Sequence, residues 1–306
     1  MDGILPLWKP KGFTSHDCVM KVRRLYKTKK VGHTGTLDPE VEGVLPICIG
    51  QATKIVPFLT DTNKTYIAEA TIGFSTETED SHGSVIDKVA LTTPITSSMI
   101  ESVLKEYQGT ITQVPPMYSA VKVNGKKLYE YAREGKEVER PNRKVFIKEL
   151  ELLTTSEPTI HQTQPFTFRV VCSKGTYIRT LCVDIGKALG YPAHMSELER
   201  TQTGSFDKSN TVTFGQIEEA VENGKEEELL SPMKKGVDHL DVLHIDDPLL
   251  FKVKNGQKLP LPSPLPKTNP FQVQHRNELV AIYQIHPTNE AEIKPLRIFH
   301  TSVESR

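Results

Sequence analysis

The segment covering residues 32–43 (GHTGTLDPEVEG) constrains the fold most, because glycine or proline interrupts it at positions 32, 35, 39 and 43. This spacing excludes a long helix or strand. Apolar residues follow directly at 44–49 and predict a short strand. Pro39 restricts Asp38 to extended backbone, and glycines permit tight turns or close approach to another molecule. The sequence thus presents an aspartate from a constrained loop. Taken alone, the short segment around Asp38-Pro39 is more typical of an ordinary turn.

Strand and helix patterns follow one another without a strict βαβ rhythm, which favours an α+β fold with a mixed sheet. Residues 66–72 and 166–172 alternate between apolar and other side chains and are predicted as strands. Helices are predicted over three segments: 16–26 with Ser15 as its N-cap, 51–59, and 178–189 closed by Gly190. Ser98 and Glu101 have capping-box spacing for a further helix that ends at Gly109.

Two regions of different composition lie beyond these elements. Residues 113–144 contain Pro115, Pro116, Asn124-Gly125 and Pro141, and we interpret them as an excursion with a hairpin turn and a short helix. Composition shifts again after about Asp238, with a proline-rich stretch and then strand-like runs at 271–273, 279–283 and 296–299. We therefore predict two domains, residues 1–238 and a small β-rich domain of residues 239–306.

Composition narrows the class of protein. Lysine plus arginine equals aspartate plus glutamate, 38 of each, which argues against a protein that coats nucleic acid indiscriminately. Basic clusters at residues 21–30 and 122–144 still allow specific RNA binding. No apolar run reaches membrane-spanning length, and the first ten residues lack the pattern of a signal peptide. We expect a cytoplasmic protein, acting as a monomer.

The four cysteines show no metal-binding or redox pattern. They form no Cys-x-x-Cys pair and no zinc-like grouping with histidine. We interpret them as reduced, mostly buried thiols, although a cysteine nucleophile stays open. They are Cys18, Cys48, Cys172 and Cys182.

Several short motifs, taken together and in order, resemble the TruB family of pseudouridine synthases. The octapeptide at 32–39 is similar to the catalytic motif of that family, including its aspartate. The other matching motifs are WKPKGFTS at 8–15, KTY at 64–66, TETEDSHG at 76–83, VPPMYSA at 114–120, KGTYIR at 174–179, LERT at 198–201 and GSF at 204–206. A set of motifs spread over most of the chain is far more specific than any one of them.

The resemblance implies a fold and an activity. The fold would be α+β, with a mixed, largely antiparallel sheet of the pseudouridine synthase type, a central RNA-binding cleft and a PUA-like C-terminal domain. The activity would be isomerisation of uridine to pseudouridine at position 55 in the T-arm of tRNA. The reaction oxidises nothing and adds no group, so no cofactor, nucleotide or metal is required, and the sequence contains neither a P-loop nor a credible metal cluster.

The resemblance also implies roles for particular residues. Asp38 would be the catalytic carboxylate, acting at C1′, at C6 or by proton removal at C2′. Arg179 would keep Asp38 ionised and oriented, and Tyr66 would stack on the uracil and join proton transfer. The remaining candidates would line the pocket or contact RNA: Leu198 as an apolar wall, His33 stacking where the flipped base has left, residues 113–144 as a thumb, and Lys9, Lys11, Asp80, Tyr118 and Lys122 as weaker RNA contacts.

Each of these residues has a plainer interpretation. Tyr66 and Leu198 fit a buried core equally well, Arg179 fits a surface position near a helix start, and His33 can simply bond its own loop. Two other functions also stay open. One is a tRNA-binding folding chaperone whose catalysis is secondary, and the other is a guide-RNA-dependent pseudouridine synthase subunit.

Overall fold

A computed structural model describes residues 1–159 and 162–299 of the chain. The strands, in chain order, are β1 (Gly3–Lys9), β2 (Val31–His33), β3 (Glu42–Ile49), β4 (Lys64–Ile72), β5 (Phe74–Thr76), β6 (Val85–Lys88), β7 (Gly109–Gln113), β8 (Lys122–Val123), β9 (Lys126–Lys127), β10 (Arg143–Thr155), β11 (Gln164–Cys172), β12 (Ala193–Thr203), β13 (Phe206–Asp207), β14 (Val242–His244), β15 (Leu259–Pro260), β16 (Phe271–His275), β17 (Glu278–Ile285) and β18 (Glu292–Ile298).

The helices alternate with these strands. They are α1 (Ser15–Leu25), α2 (Val56–Thr60), α3 (Ser97–Glu106), α4 (Leu128–Arg133), α5 (Ile178–Ala188), α6 (Phe214–Glu222) and α7 (Asp247–Lys254). Short 3₁₀ helices cover Gly50–Ile55, Lys208–Asn210, Glu226–Leu229 and Met233–Val237. No helix within the described residues is long and apolar enough to cross a membrane.

The described residues divide into two compact units. The first unit contains residues 1–40, 44–62 and those from 203 onward, and the second contains residues 41–43 and 63–202. This division does not test the domain boundary predicted between residues 238 and 239, which stays a prediction.

A mixed sheet forms the core of the second unit. Its strands lie in the order β12-β4-β11-β10-β7. The pairs β4–β11, β11–β10 and β10–β7 are antiparallel, whereas Glu42 and Gly43 pair in parallel with Glu199 and Arg200 of β12. The predicted α+β class with a mixed, largely antiparallel sheet is confirmed.

Strand β4 shows why this sheet forms where the sequence predicted it. Its alternating side chains Tyr66, Ala68, Ala70 and Ile72 are buried, as the period of a strand requires. The cross-strand partners on β11 are large where β4 is small, since Phe168 pairs with Ala68 and Phe166 with Ala70. Pairing a large side chain with a small one fills the space between the sheet and its covering helices.

The first unit contains a second, C-terminal sheet. Its strands lie in the order β14-β16-β17-β18-β15, which confirms the predicted β-rich region. It is not a loosely attached appendage, because Ile282 and Phe299 belong to the same buried cluster as Ile4 and Val44. In addition, the ammonium of Lys54 donates to the carbonyl of Ile298 at 2.8 Å.

The structure corrects two predicted helix caps. Thr14, not Ser15, caps α1, and it forms a capping box with Asp17. Thr96, not Ser98, caps α3, which ends at Glu106 rather than Gly109. The first site has two consecutive hydroxyl residues and the second has three, at 96–98, and in both the backbone geometry of the first one decides the cap.

The excursion at residues 113–144 has the predicted form. Strands β8 and β9 pair as a hairpin, with Asn124 and Gly125 at positive φ in its turn, and α4 follows directly. The predicted helices at 51–59 and 178–189 are also confirmed, although the first begins as the 3₁₀ helix Gly50–Ile55.

Gly43 provides a test of how closely the start of β3 approaches Arg200 of β12, since both residues belong to the second unit. A Cβ added there would lie 2.2 Å from the carbonyl oxygen of Arg200, and the residue has a φ of +129°. We expect Gly43→Ala to destabilise the protein by more than about 3 kcal/mol, because rigid backbone cannot yield. Thermal unfolding measures this.

Gly109→Ala is the matched control for Gly43→Ala. Gly109 has a φ of +88° but nothing within 4 Å of the added Cβ, so its cost is the backbone conformation alone, about 1 kcal/mol. Equal losses in the two variants would show that the close approach to Arg200 is unimportant.

Candidate active site

The loop carrying Asp38 connects β2 to β3 in the first unit. β2 pairs antiparallel with β3, from Val31 opposite Ile49 to His33 opposite Ile47. Thr34 then turns inward, where it is fully buried and its hydroxyl donates to the carbonyl of Pro46 at 3.1 Å. The start of the loop is thereby fixed to the strand that follows it.

Leu37, directly before Asp38, is anchored to helix α1. Its N–H donates to the hydroxyl oxygen of Ser15 at 2.9 Å, and the same hydroxyl lies 3.3 Å from the Leu37 carbonyl. Both residues are buried. Ser15 is free to do this because Thr14 supplies the helix cap.

Pro39, directly after Asp38, is anchored from the other side. Its carbonyl accepts the ammonium of Lys9 at 3.0 Å and the N–H of Gly12 at 2.9 Å. The Lys9 ammonium also donates to the carbonyl of Pro10 at 2.9 Å, and this side chain is 0% exposed. Asp38 is therefore a partly exposed carboxylate held between two fixed neighbours.

The other predicted residues of this unit differ in exposure. His33 is half-buried, and its Nδ1 accepts the N–H of Gly35 at 3.4 Å, which leaves Nε2 to carry the proton in the neutral ring. Lys11 is exposed. Lys9, which was predicted as an RNA contact, is buried, and its ammonium donates to the carbonyls of Pro10 and Pro39.

Arg179 lies in the first turn of α5 in the second unit and is only 6% exposed. Its guanidinium donates to the carbonyls of Thr78 and Tyr118, both at 2.9 Å, and lies 4.0 Å from the carboxylate of Asp80. The structure thus brings three predicted residues together: Arg179, Asp80 and Tyr118.

The Asp80 carboxylate is set in its own hydrogen-bond network. One oxygen accepts the Thr78 hydroxyl at 2.6 Å and the His82 N–H at 2.9 Å, and the Asp80 carbonyl accepts the Thr76 hydroxyl at 2.5 Å. This network fixes the loop between β5 and β6, which carries a carbonyl ligand of Arg179.

The remaining predicted residues are distributed over three elements of the second unit. Tyr66 is 9% exposed on β4, and Leu198 is half-buried on β12, the neighbouring strand. Lys122 is exposed at the start of β8. The burial of Tyr66 agrees with its interpretation as a core residue. Its position on β4, the strand next to β12, agrees with its interpretation as a site residue, because β12 carries Leu198.

Two positions escaped the sequence analysis. The Gln113 amide donates to the carbonyl of Tyr177 at 3.1 Å and accepts the Tyr177 N–H at 3.0 Å, which ties the N-terminus of α5 to β7. The Glu79 carboxylate accepts the Thr180 hydroxyl at 2.6 Å. Both pairings join residues distant in sequence, and no local pattern indicates them.

The cysteines are free and buried. Burial raises the pKa of Cys18 to about 11 and that of Cys48 to about 12, and it also raises the pKa of the Cys172 thiol to about 11. A thiol with such a pKa is almost entirely protonated at neutral pH and is a poor nucleophile. The interpretation as reduced structural thiols is confirmed.

Comparison with known proteins identifies the class. The N-terminal domain model of TruB family pseudouridylate synthases matches residues 23–178, and the model of the tRNA pseudouridylate synthase B C-terminal domain matches residues 179–240. The fold and these matches define a pseudouridylate synthase, an isomerase. The chain belongs to the TruB family.

Individual relatives agree. The chain is 60% identical over 300 residues to tRNA pseudouridine synthase B of Oceanobacillus iheyensis, covering 98% of each chain. It is 50% identical to tRNA pseudouridine synthase B of Bacillus pumilus, covering 100% of each. Among solved structures, the crystal structure of a Cbf5-Nop10-Gar1 complex contains a similar chain, with a TM-score of 0.73 and 29% identity, covering 98% of this chain and 84% of that one.

The anchor at Leu37 can be tested without any activity. We expect Ser15→Ala to speed amide hydrogen exchange of residues 36–38 by about tenfold or more, because a buried N–H loses its acceptor at a cost of about 1–3 kcal/mol. Hydrogen exchange read by mass spectrometry measures this. Thr14→Ala, which removes the neighbouring hydroxyl and the helix cap, is the control; equal protection of residues 36–38 in wild type and Ser15→Ala would contradict the anchor.

Proposed function

We propose that this enzyme isomerises uridine to pseudouridine at position 55 in the T-loop of tRNA, with Asp38 as the catalytic carboxylate. The observation that carries the proposal is the fixing of both neighbours of Asp38, Leu37 by Ser15 and Pro39 by Lys9 and Gly12. A catalytic group gains rate from being held in one direction before the substrate arrives. The names of the two relatives, both tRNA pseudouridine synthase B, support the substrate.

The reaction exchanges one bond for another. The N1–C1′ bond of uridine breaks, the uracil turns, and a C5–C1′ bond forms. The hydrogen on C5 leaves as a proton, and N1 gains one, so atoms and electrons balance without an oxidant or a co-substrate. All three routes, attack at C1′, attack at C6 and proton removal at C2′, need the Asp38 carboxylate ionised and oriented.

In this proposal Arg179 keeps the carboxylate of Asp38 ionised and oriented, the role that the family resemblance gives it. Tyr66 offers a ring that stacks on the detached uracil and a hydroxyl for proton transfer at C5. Leu198 forms an apolar wall, and His33 stacks where the base has left the RNA. The remaining candidates, Lys9, Lys11, Asp80, Tyr118 and Lys122, contact RNA or hold the groups that do.

The base must leave its stack before Asp38 reaches it, at a cost of a few kcal/mol. Residues 113–144 have the composition to offset this cost as an RNA-binding thumb. The ring of Tyr129 lies 5.3 Å from both the Lys127 ammonium and the Arg133 guanidinium, and the Lys126 ammonium lies 4.9 Å from the Tyr131 ring. Such aromatic and cationic groups bind single-stranded nucleotides.

We further propose that residues 239–306 are a PUA-like RNA-binding domain that binds the acceptor stem of the tRNA. The enzyme would act in the cytoplasm as a monomer. None of these three assignments affects the chemistry proposed at Asp38.

A guide-RNA-dependent subunit is the second candidate, because the chain also resembles a solved structure of an H/ACA RNP bound to a substrate RNA, with a TM-score of 0.73. Identity favours the stand-alone enzyme, since it is 26% with that chain and 60% with the Oceanobacillus iheyensis relative.

Asp38→Asn tests the catalytic assignment. Formation of pseudouridine releases the C5 hydrogen, so tritium release from a T-arm RNA with 5-tritiated uridine measures the reaction. We expect the rate to fall by more than about 1,000-fold, while RNA affinity stays within a few-fold. Glu40→Gln, which removes a charge from an exposed position two residues away, is the matched control. Full activity in Asp38→Asn would refute the assignment.

The substrate assignment has its own test. Purified enzyme should release tritium from transcript tRNA without any other RNA or protein, and replacing uridine 55 by cytidine should abolish the release. Activity that requires a guide RNA would favour the second candidate. Retained RNA annealing with no isomerisation in the wild type would favour the chaperone.

A further inference from the structure

We infer that Glu79 is a positioning residue for Arg179, holding the first turn of α5 through Thr180 and so fixing the direction of the guanidinium. The inference rests on the proposed function, because it takes Arg179 to be part of the catalytic machinery. All of the residues involved lie in the second unit.

The backbone of Glu79 is fixed independently of its side chain. Glu79 has a φ of +63°, in the left-handed region. Its N–H donates to the carbonyl of Thr76 at 3.1 Å, and its own carbonyl accepts the N–H of Met195 on β12 at 3.0 Å. A non-glycine residue in this conformation costs free energy. The two backbone hydrogen bonds hold Glu79 in this conformation and so set the direction of its side chain.

Three consecutive loop residues then meet two consecutive helix residues. The Thr78 carbonyl accepts Arg179 at 2.9 Å, the Glu79 carboxylate accepts the Thr180 hydroxyl at 2.6 Å, and the Asp80 carboxylate lies 4.0 Å from Arg179. Thr180 is 6% exposed. Because Arg179 and Thr180 share one turn of helix, a bond that fixes Thr180 also fixes where the Arg179 side chain begins.

Charge adds to this arrangement. An anion near the first turn of a helix is favourable. The charged groups that face Glu79 are Arg179 and Asp184 of α5 and Arg140, which follows α4. Burial raises the pKa of Glu79 despite the Thr180 hydroxyl and the two arginines. The surroundings of Glu79 therefore disfavour its charged form, and a carboxyl group kept where burial shifts its pKa is typical of a functional site.

This cost in stability distinguishes a positioning role of Glu79 from a role in packing alone. A raised carboxyl pKa means that the folded state binds its proton more tightly, so the contribution of Glu79 to stability is unfavourable above that pKa and is relieved as the pH falls. Glu79→Gln should then leave the melting temperature at pH 8 unchanged or higher, while it lowers the single-turnover rate on T-arm RNA about 10- to 100-fold.

The pH dependence gives the sharper result. The variant differs from the wild type in the charge of one side chain. We expect the ratio of the wild-type rate to the Glu79→Gln rate to fall towards one as the pH falls through the pKa of Glu79, because both side chains are then neutral. A ratio that is constant with pH, or equal to one throughout, would overturn the inference.

Thr180 supplies the partner variants. Thr180→Val should lower the rate without changing RNA affinity, Thr180→Ser should restore it, and Glu79→Gln combined with Thr180→Val should be no slower than the slower single variant. Glu77→Gln, an exposed carboxylate in the same loop, is the matched control. Additive losses in the double variant would contradict the shared bond.

One readout does not depend on the reaction. The Nε proton of Arg179, identified by its loss in Arg179→Lys, should exchange with water about tenfold faster in Thr180→Val than in wild type, by NMR of the free protein. Unchanged exchange would overturn the positioning role even if the enzyme were active. Faster exchange in an enzyme without activity on T-arm RNA would uphold the positioning and reject the proposed function.

Discussion

A buried ammonium held by backbone carbonyls is the interaction on which the loop carrying Asp38 depends. Lys9 lies out of contact with water and donates to the carbonyls of Pro10 and Pro39. Removing a charged amine from water is costly unless its hydrogen bonds are replaced. The carbonyls of Pro10 and Pro39 replace the hydrogen bonds to water, so moving Pro39 would take an acceptor away from the buried ammonium. Asp38, next to Pro39, is held in place as a consequence.

The second unit uses the same principle with a different cation. Arg179 is buried, and carbonyls from two separate loops receive its guanidinium, those of Thr78 and Tyr118. Loops are usually the most mobile part of a fold. Here a desolvated cation joins residues 113–144 to the loop between β5 and β6, so these two loop segments of the second unit are better fixed than most loops.

The sequence predicted elements wherever periodicity was strong, as in β4, β11 and α5. It failed where one of two similar residues had to be chosen, because Ser15 and Thr14 are equally good caps in isolation and only Leu37, 22 residues away, separates them. The family resemblance supplied the candidate residues, Asp38 and Arg179 among them. It could not supply their neighbours, since the bond from Thr180 to Glu79 spans 101 residues and follows from tertiary structure alone.

The shared core of the first unit has a consequence for how the molecule is made. Ile4 and Val44 pack in one cluster with Ile282 and Phe299, and the bond from Lys54 to Ile298 spans 244 residues. During synthesis, the segment bearing Asp38 therefore leaves the ribosome long before the strands that complete its hydrophobic cluster, whereas the second unit draws almost entirely on residues 63–202 and can close earlier. Translation therefore completes the segments of the second unit before the strands that close the hydrophobic cluster of the first unit, so the second unit can fold on the ribosome while the first still lacks part of its core.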